Sequence, residues 1–270
     1  MEPWPRAGVG FCVGLLLGCA WEDGMSVAAR GPGAGSRPQV RPDLVAARQA
    51  MVDVQLAARD IRDPAVLAAM RSVPREAFVP PDLTERAYDD GPLPIGAGQT
   101  ISQPYVVAFM IAAAAPKAGD RALEIGTGSG YSAAMLASIV KEVYTVERIA
   151  VLAESAASRL AGLGHQNVHV RCGDGTLGWP EHAPYDVIIV TAGGPRVPPA
   201  LLVQLAVGGR LVMPVGGDRF FQRLVRCSRQ ADGRVIRETM EAVAFVPLIG
   251  AEGWPEPGRD HPTVRRSSLA

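Results

Sequence analysis

The stretch RALEIGTGSGYSAAMLASIVKEVYTVE, residues Arg121 to Glu147, decides the fold of this chain. Its pattern predicts a short apolar strand ending at Ile125, a turn of small residues from Gly126 to Gly130, a helix, and a second strand that ends at Glu147. Glycines let a backbone turn sharply and approach a ligand closely, and a carboxylate at the end of the second strand can accept hydrogen bonds from ribose hydroxyls. The stretch therefore indicates half of a nucleotide-binding site.

Helices and strands continue to alternate downstream of this stretch. The pattern predicts a helix over residues 148–163, strands over 167–172 and 185–191, a short helix over 201–206 ended by Gly208 and Gly209, and a strand over 210–216. Past residue 215 the alternation ceases, and antiparallel strands are predicted at 223–229 and 235–250. This order is typical of an α/β fold with a doubly wound, mostly parallel sheet, which binds its ligand at the carboxyl ends of the strands.

The segment upstream of the glycine turn is expected to form an N-terminal helical cap and a surface loop. Apolar residues between Asp43 and Met70 fall at mostly helical intervals and predict two helices, broken near Asp63 and Pro64. Residues 73–100 are dense in proline and glycine, and they predict an ordered loop without repetitive structure. Loops of this kind often build a substrate pocket.

The next segment, ISQPYVVAFMIAAAA at residues 101–115, predicts a helix whose first turn is Ser102, Gln103 and Pro104. Two interpretations of Ser102 stay open. As a helix N-cap it would satisfy a first-turn amide, with Pro104 tolerated because first-turn amides have no partner within the helix. Alternatively, Thr100, Ser102 and Gln103 present side chains and free amides to an anionic group beside the bound cofactor. Spacing alone favours the cap.

The composition excludes several classes of function. The 270 residues, 48% of them hydrophobic, can bury one sizeable core. Formal net charge is zero, with 27 basic and 27 acidic residues, so we expect no nucleic-acid partner. The four cysteines form no CxxC pair. His165 and His169 are four residues apart, as two metal ligands on one helix would be, but the run NVHVRC that contains His169 alternates like a strand. We therefore predict neither a disulfide framework nor a metal site.

Both ends of the chain are expected to lie outside the main folded domain, which we place at residues 43–250. Residues 1–42 begin with one arginine and an apolar run as long as a signal-peptide core, and Leu16 to Cys19 resemble a lipoprotein cleavage box. The alternative is an unstructured extension or a start codon placed too early, since Met25 and Met51 are other possible starts. Membrane association is expected only under the first interpretation. Residues 251–270 are expected to be a flexible polar tail.

The residues around the glycine turn favour a cationic cofactor. A dinucleotide fingerprint has its third glycine three places after the second, where this chain has Tyr131, and no P-loop is present. Glu124, directly before the first glycine, would repel a pyrophosphate. S-adenosylmethionine instead carries a sulfonium and an amino group next to its ribose and adenine. The sequence therefore predicts S-adenosylmethionine as the cofactor.

Two further carboxylates lie at the ends of successive strands. Glu147 would hold the ribose, and Asp174, in the run GDG, could accept a hydrogen bond from the adenine amino group. Each also has a purely structural interpretation, since Asp174 could cap a turn and Glu147 could pair with Arg148 or a nearby lysine. Their shared position with Glu124 at the ends of three strands favours the cofactor interpretation.

Five segments together resemble the protein-L-isoaspartate O-methyltransferases. They are GQTISQPYVVAFM (98–110), ALEIGTGSGYSAA (122–134), VYTVER (143–148), CGDGTLGW (172–179) and YDVIIVTAGGPRVPPALLVQLAVGGRLVMPVG (185–216). The similarity covers about residues 46–250 in order, without large gaps. Many methyltransferases share GxGxG, whereas TISQPY is specific to this family. One departure is GGPRVP at 193–198, where the family more often has alanines. The shape of that loop is therefore expected to differ from the family's, with little effect on the chemistry.

The resemblance implies methylation of the α-carboxylate of L-isoaspartyl residues in damaged proteins and peptides, which initiates repair through a succinimide. It implies that Ser102 is the active-site residue, and that Gln222 matches a further cofactor contact in a loosely aligned region. With Glu124, which we add from its charge, the predicted cofactor-binding residues are Glu124, Gly126, Thr127, Gly128, Glu147, Asp174 and Gly175.

The chemistry agrees with the absence of an evident catalytic Cys, His or metal constellation. A carboxylate, with an ordinary pKa near ~4, is already a nucleophile at neutral pH, and a thioether leaves as a neutral group, so neither a general base nor a general acid is needed. Ser102 is expected to position the carboxylate by donating a hydrogen bond. The alternatives are a carboxyl methyltransferase for another substrate and a non-catalytic nucleotide-binding module. We expect a cytoplasmic enzyme, or an exported, periplasmic or lipid-anchored one if residues 1–24 act as a signal.

Overall fold

The structure is a computed structural model that describes residues 41–218 and 221–256. The predicted signal-like segment and the end of the predicted tail lie outside these residues. The helices are α1 Pro42–Ala50, α2 Pro64–Ser72, α3 Pro104–Ala114, α4 Tyr131–Ala137, α5 Ala150–Gly162 and α6 Pro199–Gln204. The strands are β1 Leu93–Gly96, β2 Gln99–Ile101, β3 Arg121–Ile125, β4 Glu142–Glu147, β5 Val168–Cys172, β6 Tyr185–Val190, β7 Leu205–Val215, β8 Gln222–Arg229 and β9 Val235–Val243.

A seven-stranded sheet forms the centre of the fold, in the order β5-β4-β3-β6-β7-β8-β9. The strands from β5 to β7 are parallel, whereas β8 and β9 join antiparallel at one edge. Successive strands run outward from β3 in one direction and from β6 in the other, so the order reverses between β3 and β6. Doubly wound sheets bind their ligands at such a point. The predicted fold class, with its helical cap and added antiparallel strands, is confirmed.

The helices of the cap follow the predicted pattern. Helix α1 continues directly into a π-helix, Met51–Ala57, and α2 starts at Pro64. The Asp63 side chain accepts hydrogen bonds from the backbone amides of Ala65 and Val66, at 2.9 and 3.1 Å, so it caps α2 at the predicted break. The apolar faces of these helices pack into the larger of the two cores that flank the sheet.

The predicted loop at 73–100 is wrong in one respect, because it contains regular structure. Two short 3₁₀-helices, Arg75–Phe78 and Pro81–Arg86, precede a hairpin in which β1 pairs antiparallel with β2. The hairpin turns at residues 96–98, all three with positive φ, and two of them are glycines. Strands this short give too few residues for a period-two pattern, so proline and glycine density dominated the sequence prediction.

The boundary between α6 and β7 also differs from the prediction. Helix α6 ends at Gln204, and β7 begins at Leu205, before the two glycines that we expected to separate helix from strand. The β6–β7 pairing shifts register where Tyr185 pairs with Leu205 and Val187 pairs with Arg210. Gly208 has a φ of +80° in this irregular segment, so the glycines form a bulge within the strand instead of a helix stop.

Two features of the described residues bear on other functions. None of their helices is both long enough and apolar enough to cross a membrane. Within the same ranges, no three His, Cys, Asp or Glu side chains are grouped so that they could hold a metal ion. His169 lies on strand β5, and its Nε2 contacts the Glu142 carboxylate at 2.7 Å.

Candidate active site

A cavity of about 40 Å³ lies at the carboxyl ends of β3 and β6, where the strand order reverses. Three segments of the chain form its walls: the junction of β2 with α3, the glycine turn, and the end of β6. The lining residues from these segments include Thr100, Ser102, Gly126, Thr127, Gly128, Tyr131, Ile189 and Thr191. The cavity therefore brings the predicted active-site serine together with the predicted cofactor turn.

The glycine turn is held tightly against the end of β6. Gly126 has a φ of +93°, and a Cβ built on it would lie 2.4 Å from the Thr191 hydroxyl oxygen. That hydroxyl donates a hydrogen bond to the Gly126 carbonyl oxygen at 2.7 Å. Only a residue without a side chain fits this backbone conformation and this contact. The turn therefore requires glycine at this position, as the sequence predicted, and its contact with a ligand stays a prediction.

Glu147 fixes the other side of the turn. This side chain is buried at the end of β4, and its two oxygens accept hydrogen bonds from the backbone amides of Gly128, at 2.9 Å, and Ile149, at 3.0 Å. Arg148 pairs with Glu256 instead, so the alternative of a Glu147–Arg148 ion pair is wrong. Each carboxylate oxygen has a second lone pair, which leaves capacity for ribose hydroxyls.

Glu124 lies behind the turn and is not among the residues that line the cavity. Its side chain is fully buried, and Oε2 accepts a hydrogen bond of 2.6 Å from the Thr145 hydroxyl. Thr145 in turn accepts from the Thr127 hydroxyl, also at 2.6 Å, because its own hydrogen is used. The structure therefore does not support direct contact of Glu124 with the cofactor. Glu124 points along the sheet toward β4, and it is linked to the cavity lining through Thr145 and Thr127 and through its hydrogen bond with Ser132.

Burial raises the pKa of Glu124 to about 7, and the nearby Glu147 carboxylate adds to the increase, although hydrogen bonds from Thr145 and Ser132 oppose it. Desolvation of the charged form is the main cause. The oxygen Oε1 has no hydrogen-bond partner among the described residues. The interior at this point consequently disfavours the negative charge of Glu124 at neutral pH, and a nearby cation would restore it.

Glu124→Gln is expected to stabilise the protein in a pH-dependent manner. The native state holds the Glu124 proton more tightly than the unfolded chain, whose carboxyl has the ordinary pKa of 4.5, so wild-type stability falls as pH rises from 4.5 to about 7. The variant should raise the free energy of unfolding by up to ~3 kcal/mol at about pH 8 and change it little at about pH 4. Urea unfolding at both pH values measures this difference. The exposed Glu154→Gln is the control, and an equal gain at both pH values would contradict the assignment.

Asp174 caps the 3₁₀-helix Gly175–Leu177, as its structural interpretation predicted. Its Oδ1 accepts hydrogen bonds from the Thr176 amide at 2.9 Å and the Thr176 hydroxyl at 2.7 Å. Its Oδ2 accepts from the amide of Ala251 at 2.8 Å. Next to it, Gly175 packs so closely on Ile125 that a Cβ would lie 2.4 Å from that side chain. Contact of Asp174 and Gly175 with an adenine stays a prediction.

Residues 251–256 pack against the ends of the strands, although the sequence predicted that a flexible tail begins at 251. The indole Nε1 of Trp254 donates to the Gly193 carbonyl at 2.9 Å, and Glu252 accepts from the Ala200 amide at 3.0 Å. These contacts, with the bond from Ala251 to Asp174, continue the domain past residue 250. Their partners lie more than 50 residues away in the sequence, so no local pattern reveals them.

Ser102 does not cap helix α3, so that interpretation is wrong. The helix begins at Pro104 and its N-cap is Gln103, whose side chain donates to the Asp90 carboxylate at 2.7 Å. Ser102 lines the cavity, and its one hydrogen bond among the described residues is through its carbonyl oxygen and not its hydroxyl. It is therefore available to a ligand, as is Thr100, whereas the Gln103 side chain is occupied elsewhere.

Arg75 is a residue of the site that was not predicted from the sequence. Its side chain is fully buried, and Nη2 donates to the Ser102 carbonyl oxygen at 2.8 Å while Nε donates to the Ala87 carbonyl oxygen at 2.7 Å. The available signal was an arginine in the run from Val73 to Val79, in which Glu76 is the other charged residue. Proline-rich composition hid that signal, because it suggested an exposed loop.

Gln222 is buried at the start of β8. Its Oε1 accepts from the Phe245 amide at 2.8 Å, and its Nε2 has no partner among the described residues. The side chain packs against Gly193, at the start of the GGPRVP run, where a Cβ would lie 2.8 Å from it. It does not line the described cavity, and its predicted cofactor contact stays a prediction.

Comparison with known proteins gives a consistent result. The family model for protein-L-isoaspartate(D-aspartate) O-methyltransferase matches residues 46–253. The chain is 58% identical to protein-L-isoaspartate O-methyltransferase 1 of Rhodopseudomonas palustris, over 86% of this chain and 98% of that protein. It is 61% identical to protein-L-isoaspartate O-methyltransferase 2 of Pelobacter propionicus, over 77% of this chain and 92% of that protein.

Solved structures agree with the sequence comparison. A protein-L-isoaspartate O-methyltransferase structure superposes with a TM-score of 0.69 and 30% identity, covering 76% of this chain and 67% of the other. A Plasmodium falciparum structure assigned to the same family, in complex with S-adenosyl-L-homocysteine, gives a TM-score of 0.65 and 25% identity over 75% of this chain and 98% of that one. The glycine turn, the buried Glu147 and the free Ser102 hydroxyl thus lie in a chain that belongs to the protein-L-isoaspartate(D-aspartate) O-methyltransferase family.

Proposed function

We propose that this enzyme transfers a methyl group from S-adenosylmethionine to the α-carboxylate of L-isoaspartyl residues in proteins and peptides. The observation that carries the proposal is that Ser102 and the glycine turn line the same cavity. The family supports the reaction and the substrate class. The resulting ester closes to a succinimide, which is the first step in returning the residue to normal aspartate.

The residues present fit the cofactor. Gly126 has no space for a side chain, so the backbone of the turn can approach a ligand closely. Glu147 has free lone pairs for ribose hydroxyls, and the unpartnered Oε1 of Glu124 suits a site that receives a cation. When bound, S-adenosylmethionine supplies an electrophilic methyl group on a sulfonium. We assign Glu147, Gly126, Thr127, Gly128, Asp174 and Gly175 to holding it, with Glu124 acting from behind the turn.

The remaining catalytic work falls to alignment and exclusion of water. Ser102 donates a hydrogen bond that orients one carboxylate oxygen, and the other oxygen is free to react. Apolar side chains of Val107, Met110 and Ile189 line the same cavity and keep water out. A positioned carboxylate can gain roughly 7 to 11 kcal/mol from proximity and orientation. No group has to accept or release a proton in this step, because the carboxylate enters ionised.

Methyl transfer from labelled S-adenosylmethionine tests the proposal. An isoaspartyl peptide and its normal aspartyl twin, identical in sequence, are compared, and label is expected only in the isoaspartyl peptide. Equal labelling of both would indicate a carboxyl methyltransferase for another substrate. Binding of S-adenosylhomocysteine with no labelling of either peptide would indicate a binding module. Either result would overturn the proposed substrate.

Ser102→Ala is expected to lower kcat by about tenfold or somewhat more, because one charge-assisted hydrogen bond to the substrate carboxylate is lost. Affinity for S-adenosylhomocysteine should stay within about twofold, since the hydroxyl holds the substrate and not the cofactor. Steady-state kinetics and calorimetry measure the two quantities. Ser158→Ala, on the exposed face of α5, is the matched control. Unchanged turnover in Ser102→Ala would remove Ser102 from the active site.

We place the enzyme in the cytoplasm, because its cofactor is made and held there. The signal-like features of residues 1–24 favour export or a lipid anchor instead, and they lie outside the described residues. Mass spectrometry of the mature protein decides between the two. An N-terminus at Cys19 carrying a lipid would overturn the cytoplasmic assignment.

A further inference from the structure

We propose that Arg75 is a positioning residue that makes the active site select an ionised carboxylate. Its guanidinium fixes the backbone that carries Ser102 and supplies a buried positive charge behind the cavity wall. The inference rests on the proposed function, because it concerns how the same cavity recognises its substrate.

Arg75 is a buried charge that forms no ion pair among the described residues. It is fully buried, and its hydrogen-bond acceptors are two backbone carbonyl oxygens. Its Nη1 has no partner, and no carboxylate of the described residues forms an ion pair with it. The adjacent Glu76 is neutralised elsewhere, because its carboxylate pairs with Arg48 at 3.2 Å and accepts from the Tyr88 hydroxyl. Buried arginines are normally paired, so this one leaves net positive charge inside the domain.

The guanidinium of Arg75 contacts two residues that line the cavity, on the side away from the cavity. Arg75 Nη2 is 2.8 Å from the carbonyl oxygen of Ser102, and Arg75 Cζ is 4.9 Å from the centroid of the Tyr131 ring. Ser102 and Tyr131 both line the cavity, and Tyr131 is the first residue of α4, directly after the glycine turn. Protein, and not water, separates the guanidinium from a ligand there, so its field is weakly screened.

Burial of the Arg75 guanidinium carries a desolvation cost. Apolar residues of similar volume at buried ionic positions are often neutral or stabilising, and burial lowers the pKa of Arg75 through desolvation. A substrate carboxylate, in contrast, loses hydration when it enters a small cavity with apolar walls. A fixed positive charge nearby offsets that loss for an anion and offers nothing comparable to a neutral amide.

The position of Arg75 therefore couples two requirements of the reaction. Its bond to the Ser102 carbonyl oxygen sets where the serine hydroxyl points. Its charge raises the affinity of the cavity for the ionised, nucleophilic form of the substrate. Arg75 contacts neither the substrate nor the cofactor in this arrangement, so its effects appear mainly in substrate affinity and in the geometry of Ser102.

Binding selectivity tests the proposal without relying on turnover. An isoaspartyl peptide and the same peptide with its α-carboxylate replaced by a carboxamide are titrated into the enzyme saturated with S-adenosylhomocysteine. The wild type is expected to prefer the carboxylate by at least about tenfold. Arg75→Met should reduce that preference to about twofold while leaving S-adenosylhomocysteine affinity within about threefold. Arg62→Met is the matched control, because Arg62 also donates to two backbone carbonyl oxygens but is exposed.

Arg75→Lys keeps the positive charge but cannot donate to both the Ala87 and the Ser102 carbonyl oxygens. This variant tests the proposal if Arg75→Met does not fold. It should retain the carboxylate preference while kcat falls about tenfold, because the backbone of Ser102 is no longer fixed. Loss of the preference in a folded lysine variant, or its survival in a folded methionine variant, would overturn the proposal. A failure of the proposed function appears differently, as absence of both methyl transfer and carboxylate preference in the wild type.

Discussion

Gly126→Ala is expected to weaken binding of S-adenosylhomocysteine by roughly a hundredfold or more and to lower the free energy of unfolding by ~3 kcal/mol. The added Cβ would lie 2.4 Å from the Thr191 hydroxyl oxygen, and the backbone holds a φ of +93° that side chains rarely adopt. Relief requires that the turn or Thr191 move. Movement of Thr191 breaks its 2.7 Å hydrogen bond to the Gly126 carbonyl oxygen, which fixes the turn against β6.

A second glycine-to-alanine variant shows whether the loss of cofactor affinity and stability comes from strain at Gly126 or from replacing any glycine. Gly162 is the matched control, because it lies at the end of helix α5 and no atom lies within 4 Å of its added Cβ. Gly162→Ala should leave cofactor affinity within about twofold and change stability by no more than ~1 kcal/mol. Calorimetric titration and thermal unfolding measure both variants. Normal affinity in a folded Gly126→Ala would show that the turn does not hold the cofactor.

The parts of the fold that follow from local pattern could be predicted from the sequence. Strand β3, the glycine turn and strand β4 were placed correctly, because each is set by the periodicity and by residues close in the chain. The break at Asp63 was found for the same reason. The topology followed from the alternation of helices and strands, since parallel strands need crossover helices. The short hairpin β1–β2 was missed because its strands are too brief to show a period.

The contacts that complete the site join residues far apart in the chain, and no local pattern predicts them. Arg75 and Ser102 are separated by 27 residues, and Asp174 and Ala251 by 77. The displacement of Ser102 from the N-cap depends on the backbone angles of Gln103, which the sequence does not reveal. Glu124 illustrates the remaining gap. Its charge suggested direct contact with the cofactor, whereas the structure shows that it faces Thr145 inside the sheet.

Glu147→Gln is expected to weaken S-adenosylhomocysteine binding by roughly a hundredfold, although the side chain keeps its shape. Both carboxylate oxygens accept hydrogen bonds from backbone amides, of Gly128 at 2.9 Å and Ile149 at 3.0 Å. A glutamine has one acceptor oxygen, so in either orientation its NH₂ group would face one of these N–H donors. Either the glycine turn or the start of α5 then loses its support, and the ribose hydroxyls lose a charged acceptor.

Glu147→Asp distinguishes the role of the charge from the role of the shape. The shorter side chain keeps two acceptor oxygens but cannot span both amides, so we expect an intermediate loss of about tenfold. Glu142→Gln is the matched control on the same strand, because Glu142 lies at the opposite end of β4 and pairs with His169. It should bind S-adenosylhomocysteine as the wild type does. If Glu147→Gln also binds within about threefold of the wild type, the carboxylate does not hold the ribose, and its purpose is confined to joining β4 to the glycine turn.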